Sequence, residues 1–402
     1  MDKINLLELI DDNWYVDIDK NILNKLIEKS KEKLGSLRAV SEYFKINIST
    51  ISRWQGKVKN KNTKPSYKNI KKLAELGNTP IDKDITGIKL NSGHNFLSLT
   101  SLKLSQELIR SVAFIIGDGD IGKRRVRFAN SNKLAIKSIL SDISKIFNLK
   151  NPWIKLTYPR NSKKSKIIES VKEWETYLGY KINGVYEKHN TKIRGKPFKS
   201  KKEYVEVSFH SSTLSEIIIR ILPILRKEIL LNKSLSIAYL QGIYAAEGSI
   251  TSREKNKLRV IQLNMKDKNE IIYIKKVLNL LNIRNSGERF DLGNNAWYIN
   301  ITGRKEIETC LDMDIFKINS ERKIKLEKVI NNYERYQVTP VKNKERFLQI
   351  TSILNDGTFN SLQVSNALNM SLIRTQVLLK KGFDKGKWNR IWNGSEFIYE
   401  KD

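Results

Sequence analysis

Two short stretches, SVAFIIGDG at 111–119 and LQGIYAAEG at 240–248, share one pattern: an apolar run with small residues, then an acid, then a glycine. The small residues are Ser111, Ala113 and Gly117 in the first and Gly242, Ala245 and Ala246 in the second. On a helix such residues let two backbones approach closely, and the terminal Gly119 and Gly248 are expected to take the left-handed conformation that ends a helix. If the two helices pack together about a pseudo-twofold axis, Asp118 and Glu247 meet at their ends. Adjacent carboxylates repel unless a cation lies between them, and divalent ions with oxygen ligands suit that place.

The elements that must position these acids recur in the same order. After the first acid come a basic strand (KRRVRFAN), a helix (NKLAIKSILSDISKIFNL), a strand (EYVEVSFHSS) and a helix (TLSEIIIRIL). After the second come NKLRVIQLN, KNEIIYIKKVLNLLNI, AWYINITG and RKEIETCLD. Such self-similarity marks an internal repeat, so the expected fold is α+β, two αββαββα units over 95–232 and 233–338. A Lys-rich insertion at 151–202 is expected to be a loop or hairpin that lengthens the basic surface. In each unit the basic strand is expected to alternate: Arg125 and Arg127 with Val126 and Phe128, Lys257 and Arg259 with Leu258 and Val260, one face for nucleic acid and one for the core.

Two smaller units flank the repeats. Residues 1–85 read as short helices, and LRAVSEYFKINISTISRWQGK within them has helix-turn-helix spacing. Val40, Phe44, Ile46, Ile51 and Trp54 supply its packing, Asn47 or Ser49 caps its second helix, and Lys45 stands where a glycine often makes the left-handed turn. That second helix would present Ser49, Thr50, Ser52 and Arg53 to a DNA groove. A boundary is expected between Thr79 and Asn91. Residues 341–402 read as winged-helix-like: two helices about an Asn369 turn, then a hairpin centred on Asn393-Gly394.

Of the 402 residues, 74 are Lys or Arg and 43 Asp or Glu, a net charge of +31 that calls for a polyanionic partner. Nucleic acid fits better than a membrane surface, because basic residues alternate with apolar ones throughout instead of forming one amphipathic stripe. A single cysteine, Cys310, excludes an internal disulfide and any Cys-based zinc cluster. His94, His189 and His210 are too scattered for a His cage, so any metal must be held by carboxylates. With no signal peptide or spanning segment, the expected location is intracellular and cytoplasmic.

The two nonapeptides resemble the paired signatures of the LAGLIDADG homing endonucleases in their monomeric, two-repeat form, and the resemblance covers about 95–338. It implies a saddle of two antiparallel sheets on the DNA major groove, with the motif helices at the interface between repeats. It further implies Asp118 and Glu247 as ligands of Mg2+, with Mn2+ as a substitute, and a basic residue after the last strands of each repeat. Lys227 and Lys323 match that position best, with Arg322 and Lys325 as close competitors. The expected activity is sequence-specific cleavage of double-stranded DNA by a monomer. Two alternatives stand beside it: a regulator that keeps the fold and has lost cleavage, as in LAGLIDADG-like sporulation regulators, and a maturase acting on structured intron RNA. Met1 and the terminal YEKD lack the splicing residues of an intein.

Overall fold

The computed structural model describes residues 2–58, 63–90, 96–159, 162–187, 192–193, 196–197, 202–253, 258–331 and 343–401. His94, His189, Lys257 and much of the basic string 192–202 lie outside them.

The chain opens with β1 (Lys3–Asn5), a 3-10 turn (Leu6–Glu8), β2 (Tyr15–Ile18) and four helices: α1 (Lys20–Leu34), α2 (Leu37–Phe44), α3 (Ile48–Trp54) and α4 (Tyr67–Leu76). Strands β3 (Ile85–Lys89) and β4 (Ser101–Lys103) follow. This segment differs from the all-helical expectation: β1 pairs with β4 and β2 with β3. These strands are three to five residues long and take shape only through pairing partners some 70 to 100 positions away. The pairing also crosses the expected boundary. Residues from Ile4 to Val329 share one apolar core, and Arg220 reaches back to donate two hydrogen bonds to the Asp11 carboxylate, at 3.0 and 2.6 Å.

The first repeat runs α5 (Gln106–Asp118), β5 (Gly119–Gly122), β6 (Arg125–Asn130), α6 (Lys133–Ile146), β7 (Trp153–Tyr158), α7 (Lys164–Leu178), β8 (Gly184–Glu187), β9 (Lys192–Ile193), β10 (Lys196–Pro197), β11 (Tyr204–Phe209) and α8 (Ser212–Leu231). The second runs α9 (Lys233–Glu247), β12 (Gly248–Arg253), β13 (Leu258–Met265), α10 (Lys268–Leu280), β14 (Arg289–Asp291), β15 (Ala296–Thr302), α11 (Arg304–Asp312) and α12 (Ser320–Asn331). Their sheets order as β5-β6-β11-β7-β8 and β12-β13-β15-β14. Matched strand by strand, the repeats agree except that β8 extends the first sheet, in parallel to β7. The segment expected as a loop or hairpin therefore starts too early: β7 is an integral strand paired with β11, its Ile154 and Leu156 fully buried. What is inserted between β7 and β11 includes the 15-residue helix α7, anchored by buried Trp174 and Leu178.

The last segment contains α13 (Asn343–Asn355), β16 (Phe359–Asn360), α14 (Ser361–Ala367), α15 (Leu372–Phe383), β17 (Asn389–Trp392) and β18 (Phe397–Glu400), around a separate core of Ile350, Leu354, Val364, Leu379, Trp388 and Tyr399. The α2–α3 and α14–α15 turns are built alike. Lys45 (φ 55°) and Asn369 (φ 46°) take the left-handed conformation. In each turn a serine hydroxyl donates to the carbonyl five residues on, Ser41 to Ile46 and Ser365 to Met370, both at 2.6 Å. Asn47 and Ser371 then cap the second helix of each pair.

Candidate metal centre and nucleic-acid face

Helices α5 and α9 lie against each other in the middle of the core. Ser105 starts α5 by accepting a hydrogen bond from the Leu108 amide (3.2 Å), and Asn232 starts α9 by accepting from Ser234 (2.9 Å). Between Leu235 and Ala246, α9 is buried on almost every side, as expected for a helix that is apolar all round. Glycines set how close the two come. A Cβ on Gly242 would sit 2.2 Å from the Arg110 carbonyl oxygen and 2.8 Å from Ala113 Cβ, and one on Gly117 would sit 2.6 Å from Ala246 Cβ and 3.3 Å from Glu247 Cγ. The two acids thus end helices in backbone contact.

Gly119 and Gly248 act differently from expectation. Neither takes a left-handed φ: they sit at −129° and −65°, extended, so each helix passes straight into a strand. What demands glycine is space. A Cβ on Gly119 would meet the Arg127 carbonyl oxygen at 2.5 Å, and one on Gly248 would meet the Tyr244 carbonyl oxygen at 2.4 Å.

Burial pushes Asp118 up to about 6, against the hydrogen bond from the Asn130 amide and the charge of Arg322, which pull the other way. Glu247 is pushed up to about 7, first by burial and then by the negative charge of Asp118. Its carboxylate accepts no hydrogen bond among the described residues. Two acids held at such a cost in desolvation and repulsion suit a cation between them. Among the described residues no group of three or more His, Cys, Asp or Glu side chains comes together. An ion held here would take its other ligands from water and phosphate, which matches the habit of Mg2+.

Of the candidate basic residues, the structure brings Arg322 to the acids. One nitrogen of its guanidinium donates to the carbonyls of Tyr244 (2.8 Å), Ala245 and Ala246 (2.9 Å), the open end of α9. Burial lowers its pKa while Asp118 and Glu247 raise it. Asn319, buried at the start of α12, donates to the Ala245 carbonyl (3.2 Å) and accepts from Asn132 of the first repeat (3.2 Å). This polar chain ties the two repeats together behind the acids. Lys323 is instead paired with Asp314 at 3.1 Å. Lys325 is exposed on α12. Lys227 is exposed near the end of α8, the helix that leads through Asn232 into the start of α9. Among the described residues Arg322 is the cation whose charge acts on both acids. Four cations crowd the string RKIKLEK at 322–328, and only the contact with the end of α9 distinguishes Arg322.

The outward sheet faces follow from register. On the first, Arg125 and Arg127 point outward as expected, opposite buried Val126 and Phe128. Arg127 lies between Asp120 (3.3 Å) and Glu206 (3.9 Å), and Lys155 pairs in register with Glu206. On the second sheet Val260 is buried as expected, but so is its neighbour Ile261. Ile261 and Leu263 belong to the main apolar core, and the opposite phase is Val260, buried beside the recess described below, with half-buried Gln262 and Asn264. Arg259 is placed by its backbone alone, paired with Ser252 and in the register of Ile261; Lys257 lies outside the described residues. The adjacent apolar pair Val260-Ile261 hides this phase in the sequence. The outward rows are Ser249–Gln262–Asn300, Thr251–Val260–Thr302 and Asn264–Tyr298–Arg289. They border a recess of about 720 Å³, with Ile373 of α15 on its far side.

In the N-terminal unit, Thr50 and Arg53 line a recess with Tyr15, Trp54 and Lys64. The Ser52 hydroxyl donates to the Ile48 carbonyl at 3.2 Å, and Ser49 is half-buried at the start of α3.

Residues 234–313 match the family model of the LAGLIDADG-like domain. No curated protein matches the chain. Among solved structures, mesophilic variants of the homing endonuclease I-DmoI are 19% identical over 53% of this chain and 98% of theirs, with a TM-score of 0.33. I-DmoI in complex with DNA and Ca is 18% identical over 52% of this chain and 87% of its own, with a TM-score of 0.32. Full-length DUF199/WhiA from Thermatoga maritima is 12% identical over 70% of this chain and 92% of its own, with a TM-score of 0.34. At these identities and scores the likeness says nothing about function. Among the described residues no helix is long and apolar enough to cross a membrane. With the family match running from the start of α9 into the end of α11, residues 234–313 of this mixed α+β chain are similar to the LAGLIDADG-like domain.

Proposed function

We propose that the protein is a divalent-metal-dependent endonuclease acting on double-stranded DNA. The observation that carries this reading is the pair of mutually repelling, desolvated carboxylates, Asp118 and Glu247, at the ends of two helices in backbone contact. Hydrolysis adds water across a P–O bond, and Mg2+, or Mn2+ in its place, would be held by these two acids and would supply activated water and charge neutralisation at the phosphate. Asn130 orients Asp118. Arg322 holds the end of α9, and with it the backbone that carries Glu247, while adding positive field to the site. The outward faces of both sheets bind the duplex and set where its backbone crosses the acids. The net charge of +31 supports a polyanionic substrate. The α2–α3 and α14–α15 pairs act as a helix-turn-helix and the core of a winged helix that lengthen the footprint, with Ser49, Thr50, Ser52 and Arg53 on the first. Two repeats in one chain make a monomer sufficient.

A second reading, a DNA-binding regulator without cleavage, is favoured by one observation: the cation acting on the acids is Arg322, which is tied to the end of α9, while Lys323 is paired with Asp314. Incubating a randomised duplex library with Mg2+ and the parent, Asp118→Asn or Glu247→Gln protein decides between them. Specific cuts by the parent alone establish the endonuclease. Sites that are bound and never cut, with Mg2+ or Mn2+, leave the regulator.

A further inference from the structure

The two outward faces carry different chemistry. The first presents Arg125, Arg127 and Lys155 together with Asp120 and Glu206. The second presents amides and hydroxyls: Gln262 and Asn300 in one row with Ser249, Asn264 in the next with Tyr298, and Thr251 and Thr302 beyond. Among the described residues Arg289, on the edge strand β14, is the cation of these rows, and Arg284 lines the same recess. In the major groove the bidentate partners of guanine are Arg and Lys, cytosine offers an amino donor to Asp or Glu, and the bidentate partners of adenine are Asn and Gln.

We infer that the two sheets read halves of different composition: the β5-β6-β11-β7 face a half-site rich in G·C pairs, and the β12-β13-β15 face one rich in A·T pairs, with Gln262 and Asn300 reading adenines. This rests on the DNA-binding reading above. The Asn300 side-chain oxygen has no hydrogen-bond partner among the described residues. Buried polar atoms of folded proteins are normally satisfied, so an unpaired amide on the wall of the recess gains by turning its oxygen to a donor such as the adenine amino group. Arg127 fits the other half. Held between Asp120 and Glu206, its guanidinium is oriented before DNA arrives, and the flanking carboxylates accept from cytosine.

The test is selection of a randomised duplex library by binding to the full-length protein in chelator, so that no site is lost to cleavage. Parent, Gln262→Ala, Asn300→Ala and Arg125→Ala proteins are compared. Selected sites are expected to be G·C-rich on one side of the centre and A·T-rich on the other. The Gln262 and Asn300 variants should lose roughly tenfold in adenine discrimination at single positions of the A·T half only, and the Arg125 variant a similar factor in the other half. Gln262→Arg, which keeps a long polar side chain at the same outward position, should turn its adenine preference towards guanine. Selected sites with equal composition in both halves, or Gln262 variants that relax G·C positions, would overturn the inference while leaving sequence-specific binding in place. Failure to select any sequence would sink the DNA-binding reading itself, and the inference with it.

Discussion

The two repeats have the same strand order and the same acid-bearing helix, yet they differ wherever the chain faces outward and in how each acid is supported. Asp118 receives a hydrogen bond from Asn130 within its own repeat. Glu247 receives none among the described residues, and its helix is instead held from behind by Arg322 and Asn319. The first sheet carries ion pairs and the second carries amides. Duplicated helices can thus keep the placement of two acids nearly symmetric while the surfaces around them diverge, because close backbone packing tolerates little change and an outward side chain tolerates a great deal.

Removing either acid tests the shared part and has the largest expected effect. Asp118→Asn and Glu247→Gln should each bring cleavage below detection. The same variants should raise the thermal stability of the metal-free protein. Both acids have folded pKa values above their ordinary ones, about 6 against 3.8 and about 7 against 4.5. The folded state therefore binds more protons, and the stability these groups confer is full below about pH 4 and lost as pH rises through 6 and 7. At pH 8 each amide variant should be more stable by roughly 3 kcal/mol, a rise of several degrees in melting temperature. The two gains should not add, since part of the Glu247 shift comes from Asp118. A melting temperature of the parent that is flat from pH 5 to 8 would contradict this account of the pair.

Next in size is the helix contact. Gly242→Ala places a methyl 2.2 Å from a backbone oxygen, which the helices can relieve only by separating, and a loss of about 3 kcal/mol is expected. Gly117→Ala meets the Ala246 side chain at 2.6 Å and should cost less. Calorimetry of the two variants ranks them, and equal losses would show that both interfaces relax alike.

Arg322 sharpens the contrast between the repeats. Arg322→Lys keeps the charge and loses the reach across three carbonyls, so cleavage should fall by roughly tenfold or more with little change in duplex affinity. Lys323→Ala and Lys227→Ala should stay within about threefold of the parent, as expected for residues away from the reacting atoms. Single-turnover rates at saturating protein separate these effects from binding. Loss of activity in Lys227→Ala equal to that in Arg322→Lys would restore the lysine as the working cation of the first repeat.

The parts legible in the sequence were those written in local spacing. The acids, the small residues beside them, and the caps and left-handed turns at Lys45 and Asn369 each depend on a few neighbouring positions. What escaped depends on distant partners. β7 lies among lysines, and β11 defines it as a strand. The outward phase of Gln262 and Asn264 is set by the pairing of β13 with β12 and β15. Arg322 stands out from the lysines near it through carbonyls almost eighty residues earlier. Gly119 and Gly248 were legible as glycines and misread as left-handed caps, because a requirement for space and a requirement for positive φ leave the same letter.

The smallest effect is expected on the ion pairs of the first sheet. Arg127 is partly exposed beside Asp120 and Glu206, and exposed pairs contribute at most about 1 kcal/mol to stability, so Asp120→Asn should leave the melting temperature nearly unchanged. Its effect belongs to recognition. With one carboxylate neutralised, Arg127 is freer to reach a phosphate. Affinity for arbitrary duplex should then rise a few-fold at low salt, and the slope of log affinity against log salt should steepen by up to about one unit. Discrimination at one G·C position of the first half-site should fall at the same time, because a guanidinium no longer held in place reads bases less selectively. Gln262→Asn on the other sheet changes no charge and should leave the salt slope where it was. Anisotropy titrations of both variants at several salt concentrations measure this difference, and equal slopes for the two would mean that the acids on the first sheet do not hold Arg127 in solution.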